Sequence, residues 1–169
     1  MIADEMPELD SEYLPGLCGR YLVATVSGEK FALDSESVSE IIECVNMTEL
    51  PMAGPVVRGV VSVRSELALV IDLAARLGRG RSGSAGEQAR IILLDAQQTG
   101  EWPLLGLFVE SVDSVLQLDS VLSAQCSRGD VREGDPCIAG ISVSDSTVVN
   151  LLNLSKVLDS AELTQLVVR

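Results

Sequence analysis

The stretch that most constrains the fold is 57–77, VRGVVSVRSELALVIDLAARL. A β-branched run (Val56, Val57, Val60, Val61, Val63) leads into polar Arg64-Ser65-Glu66. A second apolar run, Leu67 to Leu73, follows, with Asp72 its single charge. Two such runs around a short polar break predict a β-hairpin. Arg64 falls at its tip. It is either solvated there, as most charged residues are, or a recognition group presenting a planar fork of donors on a rigid scaffold.

The same reading extends along the chain. Tyr21–Val26 and Lys30–Leu33 predict a first hairpin around Ser27-Gly28-Glu29. Val38, Ile41, Ile42 and Val45 recur at helical spacing and predict a short helix over 34–46, capped by Asp34 or Ser35. Glu40 and Glu43 fall off that stripe. A loop broken by Pro51 and Gly54-Pro55 precedes the central hairpin, and a helical turn follows it at 74–78. The Gly/Ser-rich run 79–89 reads as a connector. Despite Arg79 and Arg81 it is no phosphate-cradling loop, because no Lys-Ser/Thr pair follows its glycines. Beyond it come Arg90–Asp95, Leu104–Val109, the alternating Val112–Leu118, a long loop 119–135, and a hairpin of Cys137–Val143 and Thr147–Leu152. A C-terminal helix capped by Ser155 closes the chain, with Val157, Leu158, Ala161, Leu163 and Leu166 on its apolar side. Many short strands and few helices predict a mainly β fold of two small packed barrels. The expected boundaries are a tail at 1–19, a first barrel at 20–78, the connector at 79–89, and a second barrel plus helix at 90–169, with strand exchange between barrels allowed.

Composition narrows the function. A chain of 169 residues buries about 70% of its unfolded surface without a metal or disulfide staple. Aromatics are only 3%, so the core must be Val, Leu, Ile and Ala. A net charge of −13 argues against nucleic acid and anionic membrane surfaces as partners. The acidic start, MIADEMPELD, is no signal peptide, and no run is long enough to span a bilayer; a cytoplasmic protein is expected. That tail is read as mobile, or as a docking peptide anchored by Met6, Leu9, Tyr13 and Leu14.

Catalysis finds little support. There is no histidine, which removes the commonest general base and metal ligand. Cys18, Cys44, Cys126 and Cys137 form no CxxC pair, so no metal site is expected and they read as small apolar side chains in a reducing compartment. Asp34, Asp72 and Asp95 end strands, where turn and cap roles are usual. Ser65 and Ser111 have no evident base, and Trp102 alone makes no stacking platform. No cofactor is expected, and a binding protein is favoured over an enzyme.

At the central hairpin the pattern resembles the CheW-like adaptor family. Gly59-Val60-Val61-Ser62-Val63-Arg64 followed by Val70-Ile71-Asp72-Leu73 is similar to the family's apolar run, Asn-Leu-Arg-Gly turn and Asp-Leu-Arg close. Tyr21-Leu22-Val23 with Phe31-Ala32-Leu33, Val38-Ser39-Glu40-Ile41, Leu50-Pro51, Gly106 to Val112 and Ile138-Ala139-Gly140-Ile141 extend the likeness over roughly 20–166. Three positions depart from it: Ser65 replaces a Gly, Leu69 a Pro, and Ala74 an Arg.

The resemblance implies two SH3-like five-stranded barrels and no enzymatic activity. It also implies partners: methyl-accepting chemoreceptors and the regulatory domain of a CheA-type histidine kinase. Receptor-tip contacts would fall at Val38, Glu40, Ile41, Arg64, Ile91, Gly106 and Val112. Kinase contact would fall near Asn46, Met47 and Leu50. The departures suggest a specialised pathway serving pili, surface motility or biofilm output. The alternative is a structural spacer of receptor arrays that no longer activates a kinase.

Overall fold

Strands as continuously apolar as RIILL and LGLFV need cover on both faces, and the chain provides it by layering two sheets around three cores. The computed structural model describes residues 17–50, 54–94, 104–123, 136–144 and 146–159. Outside them lie most of the acidic tail, Pro51, Asp95, Trp102, Cys126, most of the expected 119–135 loop, and the helix positions Ala161, Leu163 and Leu166.

Eleven strands are described: β1 (Gly19–Val26), β2 (Glu29–Asp34), β3 (Val38–Glu43), β4 (Val57–Val63), β5 (Glu66–Asp72), β6 (Arg90–Leu94), β7 (Leu105–Val109), β8 (Ser111–Leu118), β9 (Leu122–Ser123), β10 (Ile138–Ser144) and β11 (Thr147–Leu152). One sheet runs β8-β1-β2-β11-β10-β9 and the other β3-β6-β7-β5-β4. The second has the expected five strands; the first gains a sixth because the two-residue β9 pairs with β10. Neighbours are antiparallel except β2 with β11 and β5 with β7. Both parallel contacts join strands far apart in sequence, so each sheet draws on both sides of the 79–89 connector. The connector therefore does not divide one sheet from the other.

Period-two alternation assigns residues to cores. Leu22 and Ala24 of β1, with Ile92 and Leu94 of β6, enter the large core shared by the sheets. Tyr21 and Val23 face a small core inside the first sheet. Ile91 and Leu93, with Phe108, face another on the second. This is the arrangement of two SH3-like barrels packed together.

The segment 34–46 overturns the helix expectation. Asp34 accepts a bond from the Glu36 amide at 2.9 Å, as a cap should, but the turn it starts spans only Ser35–Ser37. Val38–Glu43 is then an edge strand paired with β6. Its β-branched residues suit a pleated strand, and pairing with β6 outweighs the four-residue helical stripe. Val38 and Ile42 pack inward, while Ile41 and Val45 stay 40% and 54% exposed. At the other end, Asn153 rather than Ser155 caps the short helix Leu154–Val157.

The central hairpin carries a bulge. Val57 pairs Ile71 and Gly59 pairs Val70, leaving Arg58 as the extra residue. Both Arg58 and Gly59 are buried as a result. Gly59 has φ 152°, and a Cβ there would lie 2.3 Å from the Thr48 carbonyl oxygen. That oxygen accepts the Val60 amide at 2.8 Å, so it has little room to retreat. Gly59→Ala is expected to destabilise the protein by about 2–4 kcal/mol, combining backbone strain with overpacking. Thermal melting should show a fall of several degrees; an unchanged melting temperature would mean that Thr48 moves freely.

Candidate functional site

The hairpin tip is a turn with two left-handed residues, Arg64 at φ 49° and Ser65 at φ 69°. That is the geometry of a type I′ turn, which matches strand twist and prefers glycine. Ser65 thus occupies a conformation costing a non-glycine residue about 1 kcal/mol or more. The turn lifts Arg64 clear of the sheet, its side chain 74% exposed, and its guanidinium pairs with the Glu40 carboxylate of β3.

Two hollows flank β3. One is lined by Ile41, Gln88, Arg90, Ser111, Val112 and Asp113. The other is lined by Ile42, Glu43, Val45, Asn46, Val61, Ser62, Val63 and Arg64. Ile41 and Val112, from different sheets, therefore meet in the first hollow. Arg64 and Asn46, read from sequence as contacts for different partners, share the second. Leu50 is 39% exposed nearby in sequence, whereas Met47 packs its side chain against the second sheet's core.

Ile91 and Gly106 are interior. Ile91 is wholly buried, and a Cβ on Gly106 would stand 2.5 Å from its Cγ2. Ile91 of β6 packs in the second sheet's core with Gly106 of β7 against it, where no partner touches them while the sheet stays closed. Val38 is likewise half-buried against the large core.

Sequence reasoning missed the polar cluster at the start of the connector. Asp72 is fully buried, and its side chain accepts from the amides of Ala75 (3.2 Å) and Ser82 (2.9 Å) and from Ser82 Oγ (3.0 Å). Arg58 lies 3.5 Å from it, over the Phe108 ring, and donates to the Ser82 and Gly83 carbonyls. Asp72 thus does cap the helix Leu73–Arg76, but it also ties down the connector, which sequence read as a mere spacer. The signal was a lone Asp in an apolar run with an Arg fourteen residues before it, too common a pattern to single out.

The departures from the family pattern find local reasons. The Leu69 amide donates to Leu104 O at 3.1 Å, a bond a Pro could not make. Ala74 is fully buried in the shared core.

At the rim, Asp113 accepts from Lys30 Nζ (2.6 Å), Thr25 Oγ1 (2.8 Å) and Ser111 Oγ (3.0 Å). Partial burial alone would raise its pKa; these bonds and the Lys30 charge outweigh burial and hold it below the ordinary value. Partial burial also raises the Cys44 thiol, against an opposing pull from Arg58. Cys18, Cys44 and Cys137 are unbridged, and no metal-binding cluster occurs among the described residues. No helix among them is long and apolar enough to cross a membrane.

Comparison with known proteins adds independent findings. The family model of the CheW-like domain matches residues 20–162. A curated relative, chemotaxis protein CheW of Bacillus subtilis (strain 168), is 23% identical over 140 residues, spanning 83% of this chain and 86% of that protein. The crystal structure of the scaffolding protein TtCheW from Thermoanaerobacter tengcongensis superposes with TM-score 0.68 at 24% identity, covering 82% of this chain and 86% of that one.

Because the folded pKa of Asp113 is depressed, its stabilising contribution is present above the unfolded carboxylate pKa of about 3.9 and is lost as pH falls through the folded value. Asp113→Asn should therefore be less stable than the parent at pH 7, with the gap closing below about pH 4. Urea unfolding across that range checks it; a gap independent of pH would assign the loss to packing.

Proposed function

From the premise that the chain belongs to the CheW-like domain family, a family of chemotaxis scaffolds rather than enzymes, we propose that it couples methyl-accepting chemoreceptors to a CheA-type histidine kinase. The observation that carries this reading is the groove at β3. An apolar pair from two sheets, Ile41 and Val112, lies on one side of β3, and a raised, exposed arginine, Arg64, lines the hollow on its other side. That combination suits the tip of a helical hairpin: the apolar residues receive its face and Arg64 fixes its orientation by charge-assisted bonds. Val38 packs with Val112 against the large core behind the groove, Ile91 and Gly106 stay inside the second sheet, and Glu40 holds Arg64 until a partner carboxylate takes over.

The kinase side is read at the second hollow. Asn46 lines it with Val45 and Ile42, and Leu50 lies exposed a few residues on. The reading needs no cofactor. It places the protein in the cytoplasm, held to receptor arrays through the receptors. The strained Arg64-Ser65 turn, with Ser65 where the family pattern leads one to expect glycine, favours a specialised pathway such as pilus, surface-motility or biofilm control.

A paired titration tests the proposal, with a soluble receptor signalling tip in one arm and the regulatory domain of a CheA-type kinase from the same organism in the other. Binding to both is expected. Receptor binding alone would turn the reading towards an array spacer, and binding to neither would overturn it. Arg64→Glu is expected to weaken the receptor arm at least tenfold, about 1.4 kcal/mol, without lowering the melting temperature. Unchanged affinity would return Arg64 to the role of a solvated surface charge.

A further inference from the structure

The connector 79–89 ends at the receptor-facing groove. Gln88 and Arg90 line the hollow that holds Ile41 and Val112. Arg90 donates to the Glu87 and Ala89 carbonyls, and Ala89 is buried in the second sheet's core, so the far end of the connector is fixed. Its near end is fixed by other means. The Asp72 carboxylate takes both donors of Ser82, and Arg58 donates to the carbonyls of Ser82 and Gly83. Between these anchors Gly83 to Gln88 are exposed, in a run rich in Gly and Ser. Such a sequence has little conformational preference of its own, and only its ends can define its path.

We infer that Asp72, Arg58 and Ser82 are positioning residues for partner binding, setting the path of the connector and thereby the groove wall formed by Gln88 and Arg90. None of the three lines the hollow. Their effect is exerted through the five residues that separate Ser82 from Gln88. The cluster is built for that role rather than for packing alone. Apolar residues would fill the same volume, but only this set of donors and acceptors grips the backbone of the connector on both its amide and carbonyl groups. The bulge at Arg58 belongs to the same device, since it turns that side chain inward under the connector.

This inference rests on the receptor-coupling reading, and its test separates the two. Asp72→Asn would leave Arg58 buried without a counter-charge and risks misfolding. Ser82→Ala is the gentler variant, keeping the backbone donor and losing only the hydroxyl. The expected result is roughly fivefold weaker binding of a soluble receptor tip, a fraction of what a hydroxyl-to-carboxylate bond contributes. Amide exchange over 83–88 should quicken in the free protein, and Ser82→Thr, which keeps the hydroxyl, should restore both. Wild-type affinity in Ser82→Ala, or weaker binding without faster exchange at 83–88, overturns the inference while leaving the adaptor reading intact. If the parent protein itself binds no receptor tip, both fall together.

Discussion

The ion pair on which most of the structure converges is Arg58 with Asp72. Taking two charges out of water costs several kcal/mol each, so such a pair survives only when its remaining hydrogen-bonding capacity is filled. Here Asp72 takes donors from Ala75 and Ser82, and Arg58 takes acceptors from Ser82 and Gly83. The partners belong to four pieces of chain: strand β4, the end of β5, the helix that follows, and the connector. One buried pair thereby fixes where the second sheet ends and where the connector begins. Removing either member would leave a buried charge unpaired, typically a loss of about 3–5 kcal/mol. Against a typical total stability of about 5–15 kcal/mol, that share makes the pair a condition of folding rather than a refinement.

The two phenylalanines serve the same junction. Both phenylalanines of the chain are fully buried, and each carries an arginine on its face: Arg58 over Phe108 at 4.0 Å, Arg79 over Phe31 at 5.2 Å. Arg79 also pairs with Glu29 at 2.7 Å. The flat rings thus do what aliphatic side chains cannot, offering a polarisable surface on which a guanidinium can lie while its edge bonds elsewhere. One ring belongs to each sheet, so the connector is fastened to both.

Strands and turns were legible because their signals are local. The first and last hairpins, the central hairpin, and strands β6, β7 and β8 follow from alternation, β-branching and turn residues, all read within ten positions. The segment 34–46 was misread because four apolar residues fit helical spacing, and nothing nearby reveals that an unpaired edge of β6 awaits it. The same limit explains the site. Arg64 could be singled out from its place at a hairpin tip. Its pairing with Glu40, the burial of Ile91 and Gly106, and the meeting of Ile41 with Val112 all depend on which strands adjoin. Two parallel contacts between distant strands decide that, and parallel pairing leaves no turn in the sequence to announce it. The polar cluster was hidden for a further reason: a glycine- and serine-rich run normally signals freedom, whereas here its backbone is the ligand of buried charges.

How the groove can be both occupied and available follows from magnitudes. The Arg64–Glu40 pair joins the hairpin tip to β3, yet the Arg64 side chain is 74% exposed and Glu40 36%. Exposed pairs of this kind contribute about 0–1 kcal/mol. A partner carboxylate that reaches Arg64 in a water-excluded setting gains a charge-assisted bond of about 1.5–3 kcal/mol and displaces only that weak internal one. Glu40 meanwhile keeps Arg64 oriented before the partner arrives, which lowers the entropy lost on binding. The groove therefore presents a preorganised cation whose resting partner is too weakly held to compete.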